Sequence, residues 1–182
     1  MGNKKIEIKE NYFIFASEGG LFEDIMNNII FKTTPEKIKF ILINNDVPKY
    51  NQYTHSEYAY IPIITGNIDK TYSILNDLSQ EMFNRYEKFN EIGVKTIEEF
   101  NKKSKSKLPK LLIFIDEIEE IIKNKNYKKT ENEFCRLLSR GRNVGIQFIM
   151  ETKYYMDTPK KYGEIMFFLR TAQEVYFKKM YC

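Results

Sequence analysis

Apolar residues in this chain occur in two patterns that follow one another along the sequence. Short continuous runs are typical of buried strands, and apolar positions spaced three and four apart are typical of amphipathic helices. The short runs predict strands at residues 11–16, 38–43, 60–65, 111–115 and 145–152. The helical spacing predicts helices at residues 21–31, 69–90, 96–102, 118–123 and 131–140. Residues 163–169 and 174–178 fit either pattern, and the polar, tyrosine-rich segment 44–60 is predicted to be a long loop with little regular structure.

Strands that alternate with helices indicate an α/β fold with a parallel sheet and right-handed crossover connections. A chain of 182 residues suits one such domain with its own core, so we expect residues 1–182 to form a single domain. Hydrophobic residues make up 42% of the chain and charged residues 30%, which excludes a disordered chain. The net charge of +4 permits contact with nucleic acid but does not by itself predict it.

Three features of the composition bear on location and metal binding. No apolar run approaches the length of about 18 residues that a membrane helix needs, so we expect no insertion into a membrane. The two cysteines, Cys135 and Cys182, have no paired spacing, which indicates reduced thiols in a cytoplasmic protein. His55 is the one histidine, and without a cysteine cluster the sequence offers no zinc-type site.

The predicted strand at residues 111–115 ends in two adjacent carboxylates, Asp116 and Glu117. Five apolar residues followed by acid are typical of a buried parallel strand whose carboxyl end presents charge to a site. One carboxylate at such a position can hold Mg²⁺, usually through water, while its neighbour orients an attacking water. The alternative is a core strand followed by a helix that Asp116 or Glu117 merely caps.

Several blocks of the sequence agree in order and spacing with one family. They are residues 38–44, EMFNRYEKF at 81–89, Gly93-Val94, IEEFN at 97–101, the strand that ends in Asp116 and Glu117, and SRGRNVGIQ at 139–147. Together they resemble the motor domain of the FtsK/SpoIIIE family over roughly residues 11–168. The resemblance implies a RecA-like P-loop NTPase fold, with a mostly parallel sheet flanked by helices in three layers. It also implies ATP and Mg²⁺ as cofactors, double-stranded DNA as partner, and a ring of homologous subunits, which is usually hexameric.

The chain departs from this family where the phosphate loop belongs. The expected G-x-x-x-x-G-K-[ST] loop cradles phosphate with backbone N–H groups, while its Lys neutralises the phosphates and its hydroxyl binds Mg²⁺. Aligned without gaps, Phe22 stands at the Lys and Glu23 at the Ser/Thr. No Lys or Arg lies between Lys9 and Lys32, so no shift of register restores the cation. The resemblance assigns the nucleotide-contacting positions to Ser17, Glu18, Gly19, Gly20, Leu21, Phe22 and Glu23.

The resemblance assigns roles to four further residues. Asp116 would hold Mg²⁺ and Glu117 would activate water. Lys153 stands where relatives carry a Gln near the γ-phosphate, and it would replace the missing cation from across the pocket; the alternative is an exposed lysine at the end of a strand. Arg142 lies in a stretch where relatives place basic residues near the subunit interface, and it would act on a neighbouring subunit as an arginine finger. The alternative for Arg142 is a solvated basic turn.

Three functions therefore remain open from the sequence. The first is a DNA-translocase-type ATPase with a degenerate phosphate loop and impaired hydrolysis. The second is a pseudo-ATPase that serves as a structural or regulatory module, for example in conjugation or in a secretion ring. The third is a decayed fragment of a mobile element. The lysine-rich segments 102–107 and 123–129 are basic enough to contact phosphate, although such loops are commonly just solvated.

Overall fold

The computed structural model describes residues 12–15, 21–44, 48–53, 55–61, 64–65, 68–124, 128, 131–152 and 175–177. The strands are β1 (Tyr12–Phe15), β2 (Ile38–Asn44), β3 (Ile64–Thr65), β4 (Lys110–Ile115), β5 (Ile146–Thr152) and β6 (Val175–Phe177). The helices are α1 (Leu21–Lys32), α2 (Ile68–Glu91), α3 (Ile97–Lys103), α4 (Ile118–Lys123) and α5 (Glu131–Arg140). Two 3-10 helices span Pro48–Tyr53 and Gly141–Val144.

The described strands form one six-stranded sheet in the order β3-β2-β4-β5-β1-β6. Each neighbouring pair runs parallel, as in the register of Ile113 with Ile41 on one side and with Phe148 on the other. Parallel strands place all their carboxyl ends at one edge of the sheet, called here the carboxyl edge, and all their amino ends at the opposite amino edge. The sheet therefore separates residues that follow strands from residues that precede them.

Helices cover both faces of this sheet, which confirms the predicted three-layer α/β arrangement. On one face, Ile41, Ile113 and their neighbours pack against α2, α3, α4 and α5. On the other face, Phe40, Phe114 and their neighbours pack against α1 and the Pro48–Tyr53 helix. Because β4 is buried on both faces, its side chains form a continuous apolar run rather than an alternating pattern.

The helix and strand boundaries follow local signals in the sequence. Thr96 caps α3, since its hydroxyl accepts a hydrogen bond from the Glu99 amide at 3.3 Å. The Glu99 carboxylate returns to accept the Lys95 amide at 2.9 Å. Of the two undecided segments, 174–178 contains strand β6, and 163–169 lies outside the described residues. No helix among the described residues is long and apolar enough to cross a membrane.

Segment 44–60 is more ordered than the sequence predicts. The Pro48–Tyr53 helix and the residues after it place three buried tyrosines, Tyr50, Tyr53 and Tyr58, in the core beside α1. The Tyr58 hydroxyl donates to the carbonyl of Thr33 at 2.6 Å, and the ring stacks on Phe40. The prediction of a loop with little regular structure was wrong because it counted these tyrosines as polar, whereas their rings fill the core.

Candidate functional site

The carboxyl edge collects side chains from three different elements. Asp116 directly follows β4, and its amide donates to the Ile43 carbonyl at 3.0 Å, which ties it to the end of β2. Glu151 lies near the end of β5 and is only 3% exposed. Strand β1 pairs with β5 on the far side of Glu151, and the chain after β1 leads to the first turn of α1, which carries Glu23.

Tyr50 is a buried tyrosine whose pKa responds to these carboxylates. Its side chain is 0% exposed, and burial is the main cause that raises its pKa above the usual value for tyrosine. The negative charges of Asp116, Glu151 and Glu23 raise the pKa of Tyr50 further, in that order. All three carboxylates therefore lie within electrostatic range of the Tyr50 hydroxyl.

The start of α1 lies where a phosphate-binding helix would have its amino end. The helix begins at Leu21, so Phe22 and Glu23 occupy its first turn, as the alignment with the phosphate loop predicts. Asp24 adds a second carboxylate in the same turn. Carboxylates at this end are stabilised by the helix dipole, which otherwise attracts a bound anion. Two carboxylates, Glu23 and Asp24, therefore lie in the first turn of α1.

Glu117 has an unusual backbone conformation. It has φ 54° and ψ 57°, and it is the one non-glycine residue with positive φ in the described part of the chain. It occupies the position before α4, but its side chain makes no capping hydrogen bond to that helix. The alternative of a core strand followed by a helix that Asp116 or Glu117 caps therefore stays open, although the Glu117 side chain makes no capping hydrogen bond. Strained residues of this kind cluster at functional sites, which is consistent with the predicted role of Glu117.

We expect Glu117→Gly to raise the free energy of unfolding by about 1 kcal/mol. The left-handed conformation costs a residue with a Cβ about 1–2 kcal/mol, and glycine avoids that cost while losing more chain entropy. Urea denaturation measures the change. The matched control is Glu120→Gly at an exposed helical position of α4. This substitution should lower the free energy of unfolding by about 1 kcal/mol. Equal destabilisation by the two substitutions would contradict the assignment of strain to Glu117.

Arg142 lies at the opposite edge of the sheet. Its turn precedes β5, whose Ile146 pairs with Leu111 near the start of β4. Its charge is among the causes that lower the pKa of Glu98, which lies in an ion pair with Lys110 at 2.7 Å. Asp116 lies six residue steps beyond Lys110 along β4, a distance of about 20 Å at about 3.3 Å per residue. Arg142 therefore cannot join Asp116 in one site within a single molecule.

The predicted site residues fall into three groups according to where they lie in the structure. Glu23 and Asp116 come together, with Glu117 next in sequence to Asp116. Arg142 lies apart, as just described. Ser17, Glu18, Gly19, Gly20 and Lys153 lie outside the described residues, and Leu21 and Phe22 are described only through their backbone.

Two residues of this site, Tyr50 and Glu151, are absent from the sequence-based prediction. For Glu151 a signal existed, since a carboxylate two residues before Lys153 interrupts the apolar run of β5. Among the described residues, no three His, Cys, Asp or Glu side chains are grouped so that they could hold a metal ion by themselves. Mg²⁺ in nucleotide sites commonly takes only one or two carboxylates together with substrate phosphates, so Asp116 remains a predicted ligand.

Known proteins have sequences similar to that of this chain. Residues 21–157 match the model of the FtsK/SpoIIIE family. DNA translocase FtsK from Streptococcus pyogenes is 32% identical over 139 residues, which are 71% of this chain and 17% of that protein. The chain thus corresponds to a small part of such relatives.

Solved structures agree in fold. EssC (ATPases 2 and 3) from Geobacillus thermodenitrificans matches with a TM-score of 0.70 and 19% identity, over 80% of this chain and 28% of that one. The pCW3 conjugation coupling protein TcpA, solved as a monomer with ATPγS, matches with a TM-score of 0.62 and 18% identity, over 84% of this chain and 45% of that one. These matches confirm the predicted RecA-like P-loop NTPase fold. From the family match and the sequence identity, we conclude that the chain belongs to the FtsK/SpoIIIE family.

Proposed function

We propose that this chain is a motor-type domain of a DNA-translocating assembly whose own nucleotide site is impaired in hydrolysis. The relationship to a DNA translocase and to a conjugation coupling protein supports the general setting. The chain corresponds to only 17% of the translocase, so DNA as the partner and a ring as the assembly are parts of this proposal. We also propose that residues 1–182 act as one domain in the cytoplasm.

The observation that carries the proposal is the negative charge at the carboxyl edge. After burial, the charges of Asp116, Glu151 and Glu23 raise the pKa of Tyr50, and Glu23 lies in the helix turn that would receive phosphate. A carboxylate about 4 Å from a phosphate oxygen costs about 4 kcal/mol per unit charge at an effective dielectric constant of about 20. The sequence supplies no Lys or Arg between residues 9 and 32 to offset this repulsion.

Asp116 and Glu117 keep the positions from which a motor domain of this family would hold Mg²⁺ and orient water. Because the sequence aligns Phe22 with the Lys of the phosphate loop and Glu23 with its Ser/Thr, we assign no hydrolytic step to them. Lys153 is the residue we propose as a substitute cation, since it follows β5 at the carboxyl edge in sequence. Lys102 and Lys103 lie in the last turn of α3, and Lys105 follows that helix. These three exposed lysines are proposed to contact the phosphates of double-stranded DNA.

Calorimetry with Mg²⁺-ATP tests the proposal directly. We expect the purified chain to show no binding at millimolar nucleotide, because charge repulsion removes most of the phosphate affinity. The matched control is Asp116→Ala, which removes one carboxylate from the edge. Binding at submillimolar nucleotide that Asp116→Ala abolishes would contradict impairment and would support a working pocket. Lys153→Ala would then decide whether that lysine supplies the cation.

The second candidate is a pseudo-ATPase that acts as a structural or regulatory module, for example in conjugation or in a secretion ring. The first turn of α1 favours it, since Glu23 at the expected hydroxyl position adds negative charge and Phe22 at the expected Lys position supplies no charge compensation. Analytical sedimentation with and without double-stranded DNA separates the two candidates. A ring on DNA supports a motor or ring component, and a monomer under all conditions supports a separate interaction module.

A further inference from the structure

Residues 140–145, called here the arginine turn, are held at both ends by consecutive residues of α2. The Tyr86 hydroxyl donates to the carbonyl of Arg140 at 3.0 Å. The Arg85 guanidinium donates from Nη1 to the carbonyl of Val144 at 2.8 Å. Arg142 lies between these two fixed carbonyls and is exposed. One helix therefore fixes the backbone on each side of an exposed arginine.

Arg85 is an unusual residue for this position because its side chain is only 1% exposed. Its Nε donates to the Glu81 carboxylate at 2.7 Å, and Nη1 also donates to the Pro109 carbonyl at 2.9 Å. A buried ion pair is commonly no more stable than a well-packed apolar replacement, so stability alone does not explain it. Its particular effect is geometric, since one planar guanidinium joins α2 to both the entry of β4 and the end of the arginine turn.

The far end of the arginine turn is fixed to the sheet as well. The Gly145 amide donates to the Arg142 carbonyl at 3.0 Å, and the Gly145 carbonyl accepts the Leu111 amide at 2.7 Å. These bonds join the turn to the first part of β4 at the amino edge. The backbone of Arg142 thus has a defined position relative to both α2 and the sheet.

We infer that Arg85 and Tyr86 are positioning residues that hold Arg142 in place for a phosphate group presented by another molecule. The inference rests on the proposed function, because an assembly on DNA supplies such phosphates at the surface. The phosphate belongs either to a nucleotide in a neighbouring subunit or to the DNA backbone. A guanidinium recognises both through the same paired N–H donors. Fixing the backbone matters because a misplacement of about 1 Å can cost about a hundredfold in such contacts.

The test uses Tyr86→Phe, which removes only the hydroxyl that bonds to the Arg140 carbonyl. The matched control is Tyr58→Phe, which removes a hydroxyl that bonds to the Thr33 carbonyl on the other face of the sheet. Arg85→Lys is the second variant, because it keeps the charge and loses the planar fork. Each variant is also combined with Arg142→Ala in the full chain.

Amide hydrogen exchange provides the first measurement. We expect Tyr86→Phe to accelerate exchange at the Gly145 amide about tenfold, while exchange in the centre of β4 stays unchanged. Tyr58→Phe should leave the Gly145 amide unchanged. If Tyr86→Phe and Arg85→Lys both leave this amide unchanged, the inference that α2 holds the turn is overturned. This measurement needs neither nucleotide nor DNA, so it decides the point even where the proposed function fails.

The second measurement follows phosphate-dependent activity in two arms. One arm is affinity for a short double-stranded DNA, and the other is ATP turnover by a chain carrying Phe22→Lys and Glu23→Thr. We expect Arg142→Ala to lower one of them about tenfold, and Tyr86→Phe to lower the same one severalfold. Tyr86→Phe should have no further effect once Arg142 is alanine. The arm that responds identifies the source of the phosphate.

Two results in these arms overturn the inference. One is a loss from Tyr86→Phe that persists in full in the Arg142→Ala background, since that shows a role separate from Arg142. The other is a wild-type-like value for Arg142→Ala in both arms when the parent chains are active. Parent chains that show neither DNA binding nor turnover contradict the proposed function instead, and hydrogen exchange then decides the positioning role.

Discussion

Replacing Phe22 with lysine and Glu23 with threonine is expected to raise the affinity for Mg²⁺-ATP at least tenfold. Both residues lie in the first turn of α1, where the family's phosphate loop has its Lys and its hydroxyl. The double substitution changes the charge of that turn by two units, since a cation is added and a carboxylate removed. At about 4 kcal/mol per unit charge near phosphate, even a small part of the change exceeds the 1.4 kcal/mol that equals a tenfold affinity.

Calorimetry with the double variant and the parent chain measures this difference. The control is Phe31→Lys, which adds one positive charge to the same helix at a residue that is 88% exposed and lies in the last turn. We expect no gain in affinity from Phe31→Lys. If both variants gain equally, general electrostatic attraction explains the effect. If neither variant gains affinity for Mg²⁺-ATP, the carboxylates Asp116 and Glu151 alone are enough to prevent binding of the phosphates.

The sequence predicts most of the elements of this fold because their signals are local. The apolar run of β4 is continuous because both faces of that strand are buried, and its end at Asp116 is visible from composition alone. The helix α2 spans Ile68–Glu91, within a residue or so of the predicted 69–90. The family resemblance supplied the three-layer fold class, whereas the order of the strands is given by the structure alone.

The surroundings of the site could not be predicted in the same way. Tyr50 stands in a polar segment, and its burial depends on packing between the Pro48–Tyr53 helix and α1, which are separated in sequence. Its position among Glu23, Asp116 and Glu151 depends on the order of β2, β4 and β5 in the sheet. Local patterns carry no information on such tertiary neighbours, so the acidic character of the edge became visible only in three dimensions.

The location of Arg142 illustrates the same limit for the opposite edge. The sequence placed Glu117, Lys153 and Arg142 in one set of candidate residues. The parallel register puts the turn before β5 at the amino edge, and the residues after β4 at the carboxyl edge. A role for Arg142 at a nucleotide is therefore possible only between molecules, which agrees with the proposed action on a neighbouring subunit.

The arginine turn also gives the largest predicted loss of stability. We expect Gly145→Ala to lower the free energy of unfolding by about 2–5 kcal/mol. Gly145 has φ +80°, a conformation that costs a residue with a Cβ about 1–2 kcal/mol. A Cβ there would lie 2.4 Å from Cδ1 of Ile97, a core side chain that is 1% exposed and has little room to move. Overpacking of this kind adds about 1–3 kcal/mol.

Gly93→Ala is the matched control because Gly93 also has positive φ, at +64°, but a Cβ there meets nothing within 4 Å. Gly93→Ala should lower the free energy of unfolding only by the cost of the left-handed conformation, about 1–2 kcal/mol. Urea denaturation of both variants isolates the steric part as their difference. Equal losses would show that Ile97 moves aside without cost. A larger loss for Gly145→Ala would show that the turn before β5 is packed to a fixed position, as a rigidly placed Arg142 requires.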